Sequence, residues 1–177
     1  MADLTGRRRF AHLYRRAGFG ATAAELDAAR ALHATEDVAF GLAVDRLLNY
    51  QAVSEVPDRF EVRTDDWGDT LIRWWLERLA RTRRPLLERL TYFWHDHFAT
   101  SLEKDGIDVA KMKRQNDTLR ANALGSFPAL VKALSRDPAM IAWLDLSSNR
   151  RLSPNENFAR ELMELFVLGA RAPGNRS

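Results

Sequence analysis

The spacing of the apolar residues, and the caps between them, restrict this chain to one kind of secondary structure. Thr22-Ala23-Ala24-Glu25 is a capping box: the threonine hydroxyl accepts from a backbone amide one turn in, and the glutamate carboxylate reaches back. Ser153-Pro154-Asn155-Glu156 repeats the pattern with proline at the first helical position, where a missing N–H costs nothing. Behind such starts the apolar residues return at helical intervals, as Phe40, Val44, Leu47 and Leu48 do after Thr35-Glu36-Asp37. No segment alternates with the period of two that a half-buried strand requires. The expectation is an all-α chain, an irregular multi-helix bundle of about eight or nine helices with no sheet.

The same punctuation places the helices. A first one runs over about 5 to 17, with Gly18 as its left-handed cap. A second runs from the Thr22 cap to about Leu32, and a third opens after Thr35. Residues 51–64 lack periodicity and contain Pro57, so they form the longest loop. A fourth helix starts near Asp66 and carries Trp67, Leu71, Trp74, Trp75 and Leu79. Pro85 starts a long helix reaching about Glu103, and Asp108 starts another that ends near Gly125. Ser126 and Asp137 precede two short helices, and the last spans 154–169. With 177 residues, roughly one domain is expected: a single helical domain over 1–169 and an unpatterned tail over 170–177.

Composition excludes several functional classes. Hydrophobic residues at 46% and charged residues at 29% are globular values, which excludes a disordered chain. No run of about 18 apolar residues exists, so no transmembrane segment is expected. Of 27 basic residues 23 are arginine, yet the formal charge is only +3. The densest basic stretch, Arg7, Arg8, Arg9, Arg15 and Arg16, reads as a solvated helix face rather than a phosphate-binding surface, because so small an excess charge steers little. Nucleic acid is therefore the remote alternative. The chain has no cysteine, hence neither a disulfide framework nor thiolate chemistry. Arg8-Arg9-Phe10 resembles the start of a twin-arginine export signal, but His12, Arg15, Arg16, Gly18 and Gly20 interrupt the apolar stretch such a signal needs. As it stands, the sequence reads as cytoplasmic.

Two helices carry polar residues in unexpected places. On the helix from Pro85, at about 100° per residue, Leu86, Leu87, Leu90, Phe93, Trp94 and Phe98 form one broad apolar face with His97 near its middle. His95 falls on the opposite, polar side beside Glu88, and Asp96 on a flank, so His95 and His97 cannot share one ion from a regular helix. An imidazole on an apolar face must satisfy both ring nitrogens. Two readings are open: a core histidine bonded to a carbonyl or carboxylate, or a metal ligand or general base. The last helix has an apolar stripe of Phe158, Leu162, Leu165 and Phe166, and along one edge Asn157, Glu161 and Glu164. Glu161 and Glu164, three apart, sit on neighbouring turns and suit a cation or a positioned water. The competing reading is an ion-pair network with arginines such as Arg160. The Trp cluster (Trp67, Trp74, Trp75, Trp94, Trp143) reads most simply as core, or as a surface shared with missing sequence. Gly18-Phe19-Gly20 follows no strand, which excludes a dinucleotide fingerprint.

Three stretches carry a resemblance. They are His12 to Thr22 (His12-Leu13-Tyr14-Arg15-Arg16-Ala17-Gly18-Phe19-Gly20-Ala21-Thr22), Leu90 to Ser101 around Trp94-His95-Asp96-His97-Phe98, and Pro154 to Phe166 around Asn155-Glu156-Asn157-Phe158-Ala159-Arg160-Glu161. With Gln115-Asn116 and the stretch from Asp137 to Asp145, they resemble the bacterial family named domain of unknown function 1800. The resemblance implies a helical protein of unassigned activity, often encoded beside another family of unknown function, whose product is then a candidate partner. It implies that many relatives are exported, and that the pattern continues past Gly169 into a second half. On that ground the chain is expected to be the front part of something larger, with the absent half as a partner surface. The family more often reads His-Asn-His where Asp96 stands here. The leading expectation is a polar, catalytic or metal-binding site around His97, Asn157, Glu161 and Glu164, with hydrolysis as the least committal chemistry; the sequence leaves the cofactor unassigned. The alternative is a helical scaffold or partner-binding module in which these residues are structural.

Overall fold

The computed structural model describes residues 5–146 and 156–167. Among them lie nine α-helices and no strand: α1 (Gly6–Ala17), α2 (Ala23–Arg30), α3 (Glu36–Leu48), α4 (Gly68–Arg81), α5 (Pro85–His97), α6 (Val109–Asn122), α7 (Phe127–Leu134), α8 (Pro138–Trp143) and α9 (Glu156–Glu161). A 3₁₀ turn, Tyr50–Ala52, follows α3, and a π-helical turn, Leu162–Val167, continues α9. The residues divide into two compact units. One is the chain through Glu61 with Ile72–Tyr92; the other is Val62–Leu71 with the chain from Phe93 onward.

In the first unit α1, α2 and α3 enclose Phe10, Leu26, Ala29, Ala39 and Ala43. Alanines on α3 let the helices approach closely enough for Phe10 to meet the edge of Phe40, with ring centroids 5.5 Å apart. The capping box of α2 forms as expected: Glu25 N donates to Thr22 Oγ1 at 3.3 Å, and Thr22 N donates to Glu25 Oε2 at 2.7 Å. The end of α1 differs from expectation. Gly18 has extended backbone (φ −160°), and the left-handed residue is Gly20 (φ +103°), whose N–H donates to Tyr14 O at 3.1 Å. Gly18 is small for a steric reason: a Cβ there would sit 2.9 Å from Pro85 Cβ.

The expected loop over 51–64 has little regular structure, and its first half is tied down from α4 and the α4–α5 corner. Glu55 accepts from Thr82 Oγ1 (2.7 Å), Arg83 N (2.9 Å) and Val56 N (2.8 Å), and these bonds hold its pKa below the usual carboxylate range against the opposing effect of burial. Arg84 Nε donates to Val53 O at 2.7 Å.

In the second unit α6, α7, α8 and the π turn surround Phe98, Leu119, Leu130, Leu134, Met140, Leu144, Leu162 and Phe166. The expected helix from Pro85 to Glu103 stops at His97. Thr100 turns its hydroxyl inward onto Gln115, and Ser101 Oγ accepts from Glu103 N at 3.1 Å. Hydroxyl side chains that bond nearby backbone in this way compete with the helical ladder. Asp108 caps α6 through Lys111 N at 2.8 Å, and Asp137 caps α8 through Ala139 N and Met140 N at 3.0 and 3.1 Å. The tail expected over 170–177 and the Ser153 cap lie outside the described residues.

The tryptophans differ in burial and divide between the two units. Trp74 is buried, Trp75, Trp94 and Trp143 are half-buried, and Trp67 is 83% exposed. None of the helices among the described residues is long and apolar enough to cross a membrane.

Candidate functional site

His97, the last residue of α5, lies half-buried against the π turn. Its Nε2 is 2.7 Å from Phe166 O. A carbonyl only accepts, so Nε2 carries the proton and Nδ1 of the neutral ring carries the lone pair. Four aromatic rings hold the imidazole in place: Phe93 stacks on it at 6.2 Å, while Trp94, Phe98 and Phe166 present edges at 5.7, 4.9 and 6.3 Å. Trp94 is itself anchored, its Nε1 donating to Ala123 O at 3.0 Å. One ring nitrogen is thus bonded to a carbonyl and the other is left as an acceptor, so both readings of His97 stay open.

The helix expected to be regular over 154–169 is α-helical only to Glu161 and widens into the π turn at Leu162. Because each π turn takes in an extra residue, Glu164 is carried further around the axis from Glu161 than α geometry would place it. Leu162 and Phe166 stay buried, Glu161 is half-buried and Glu164 is exposed. Arg160 is exposed. Asn155 and the side chain of Asn157 lie outside what the structure describes. Among the described residues no three His, Asp or Glu side chains converge on a metal-sized position.

The polar side assigned to α5 requires correction. Glu88 and Thr91 are fully buried, while Phe93, placed on the apolar face, is 51% exposed. The reason is a partner ten residues back: Arg78 Nε donates to Glu88 Oε1 at 2.9 Å, and Arg78 NH1 pairs with Asp58 at 2.8 Å. Burial works to lower the Arg78 pKa, but the hydrogen bond and charge of Glu88 outweigh it and raise the value. His95 is half-buried rather than solvent-facing. Burial lowers its pKa, and the neighbouring Asp96 carboxylate works in the opposite direction.

A second polar group joins residues that the sequence marked separately, Gln115-Asn116 and Asp137, whose meeting was not anticipated. In the second unit Thr100 Oγ1 donates to Gln115 Oε1 at 2.5 Å, and Gln115 Nε2 donates to Asp137 Oδ1 at 3.1 Å. Burial raises the Asp137 pKa, opposed by the amide bonds from Met140, Gln115 and Ala139 and by Arg114. Its Oδ2 and the Oδ1 of buried Asn116 have no hydrogen-bond partner among the described residues. The available signal was position: Gln115 and Asn116 interrupt the stripe Val109, Met112 and Leu119 where α6 should be apolar.

At the other end of the chain His12, Arg15 and Arg16 are exposed on α1. Two arginines of the basic stretch are neutralised locally: Arg7 pairs with Asp27, and Arg9 pairs with Asp37 at 2.5 Å. That leaves less positive field than the sequence count suggests.

Residues 12–173 match the sequence profile of one family, described as proteins of unknown function, DUF1800. The chain belongs to the DUF1800 family. The matched span takes in the second half of α1, the His95–His97 segment, the Gln115-Asn116 pair and the last helix. No curated protein and no solved structure matches this DUF1800 chain.

Proposed function

We propose that this DUF1800 protein carries a polar ligand site centred on the Nδ1 lone pair of His97, with Glu161, Glu164 and Asn157 as neighbouring polar groups. The imidazole acts as a general base or as a ligand to a bound cation, and hydrolysis is the reaction class that suits an oriented imidazole with carboxylates on the facing helix. The observation that carries this reading is the 2.7 Å contact between His97 Nε2 and Phe166 O. A backbone carbonyl on one ring nitrogen fixes the tautomer and aims the other, the arrangement by which histidines are prepared as ligands or bases.

The scaffold reading rests on the same residue. Four rings and a carbonyl around His97 are also what a structural histidine needs. His97→Gln separates the two, since the glutamine amide can still donate to Phe166 O from the Nε2 position but offers nothing at Nδ1. The measurements are p-nitrophenyl acetate hydrolysis, Zn2+ calorimetry and thermal melting. The site reading expects hydrolysis or Zn2+ binding by the wild type, its loss in H97Q, and nearly the same melting temperature. A wild type showing neither, or an H97Q variant that matches it in both, leaves the scaffold reading in place.

A further inference from the structure

A large cavity lies in the first unit and is lined wholly by residues of that unit. It encloses about 970 Å3 and opens where the α1–α2 turn, α2, the end of α3 and the α4–α5 corner come together. Small-molecule sites commonly enclose about 300–1,000 Å3, so the space suits a ligand of substantial size.

Its lining has two parts. Leu47, Val53, Leu79 and Pro85 supply an apolar wall. Four arginines, Arg46, Arg81, Arg83 and Arg84, also line it, against one carboxylate, Glu25. That carboxylate is occupied by the amide and hydroxyl of Thr22. Arg81 is offset by Glu77 at 3.1 Å, and Arg84 spends its Nε on Val53 O, which leaves its terminal nitrogens. Arg46 and Arg83 are exposed, and neither guanidinium has a carboxylate partner among the described residues. Tyr14 lines the same space. Burial raises its pKa, with the Arg46 charge opposing and Glu25 reinforcing, so its hydroxyl is a proton donor at neutral pH.

We propose that this cleft binds a small amphiphilic anion, with an apolar body against Leu47, Val53 and Leu79 and an acidic head held by Arg46 and Arg83. Guanidinium forks recognise carboxylate, phosphate and sulfonate heads alike, so the shared chemistry is an oxyanion attached to an apolar or aromatic body. An open cleft with unmatched cations over an apolar wall selects that combination over either part alone: the wall contributes by burial, and the arginines add strength and choice of sign.

The test uses the full chain and two probes that differ in charge. 1-Anilinonaphthalene-8-sulfonate carries an aromatic body with an anionic head; N-phenyl-1-naphthylamine has the same body without the head. The expected result is saturable binding of the sulfonate to one site, weakened by salt, and at least about tenfold tighter than the neutral amine, the worth of one hydrogen bond to a charged group. Charge reversal in the double variant R46E/R83E weakens the sulfonate at least about tenfold, whereas R136E, an exposed arginine of the other unit, leaves it unchanged. A28W narrows the cleft from the exposed residue Ala28 and weakens both probes. Equal binding of the two probes, or a sulfonate affinity that R46E/R83E or A28W leaves intact in variants melting like the wild type, overturns the proposal. Absence of sulfonate binding does so as well.

Discussion

Arg78 and Glu88 form an ion pair in which the carboxylate is wholly withdrawn from solvent, with Nε 2.9 Å from Oε1. The pair joins α4 to α5 across a corner of only a few residues and turns what looks like the polar side of α5 inward. Burying two charges costs solvation that their attraction repays only in good geometry, so the pair serves registry more than net stability.

Removing one partner exposes that cost. R78A is expected to lose about 3–5 kcal/mol in urea denaturation, because Glu88 is then left charged and buried. Replacing both residues, R78M/E88L, is expected to cost less than R78A alone. A double-mutant cycle that returns simple additivity sinks the pairing as the cause.

How far the sequence reveals this arrangement depends on where each partner lies. Caps, prolines at helix starts and the 3.6-residue period are local, so the helices and their order were legible, as the Thr22–Glu25 box and the Asp108 and Asp137 caps show. The inward side of α5 was not, since Glu88 reads as solvent-facing until Arg78 is known to meet it. The stop at His97 and the π turn at Leu162 likewise fall where tertiary partners meet, Gln115 with Thr100 and His97 with the Phe166 carbonyl. Of the candidate site, His97 was legible as a misplaced imidazole. Its tautomer was not, because that rests on a carbonyl 69 residues away.

Gly18 and Gly20 are small for different reasons, and substitution separates them. At Gly18 any added side chain meets Pro85, so G18N is expected to cost more than G18A, with losses of about 1–3 kcal/mol from overpacking. At Gly20 there is open space but a positive φ, so G20N, which tolerates that backbone better, is expected to cost less than G20A. Thermal denaturation of the four variants gives the order; the same order at both sites defeats the assignment.

Asp137 makes stability depend on pH in an unusual direction. Its folded-state pKa is raised above the ordinary 3.8, chiefly by burial. The folded state therefore holds the proton more tightly than the unfolded chain, and the associated stability is full below the unfolded pKa and lost as pH rises through the folded one. D137N resembles the protonated acid and keeps an oxygen for the α8 amides. It is expected to gain on the wild type as pH rises from 4 to 7. D137A loses the cap and strands the Gln115 donor, at about 1–3 kcal/mol. A D137N-to-wild-type difference that is flat across that range removes the raised pKa from the account.

His95 gives the opposite slope. Burial depresses its folded-state pKa below 6.5, so the folded protein favours the neutral ring, and its contribution is present above the unfolded pKa and lost as pH falls through the folded value. Asp96 works against burial by favouring the imidazolium. D96N removes that opposition without changing the side-chain volume, so the His95 pKa is expected to move further down, and the loss of stability on acidification, which begins near the unfolded pKa in both proteins, to run on to a lower pH and become larger. The check is an NMR titration of the His95 ring in both proteins, paired with urea midpoints between pH 5 and 7.5. An upward shift of the ring pKa in D96N, or none, contradicts the balance of burial against the Asp96 charge.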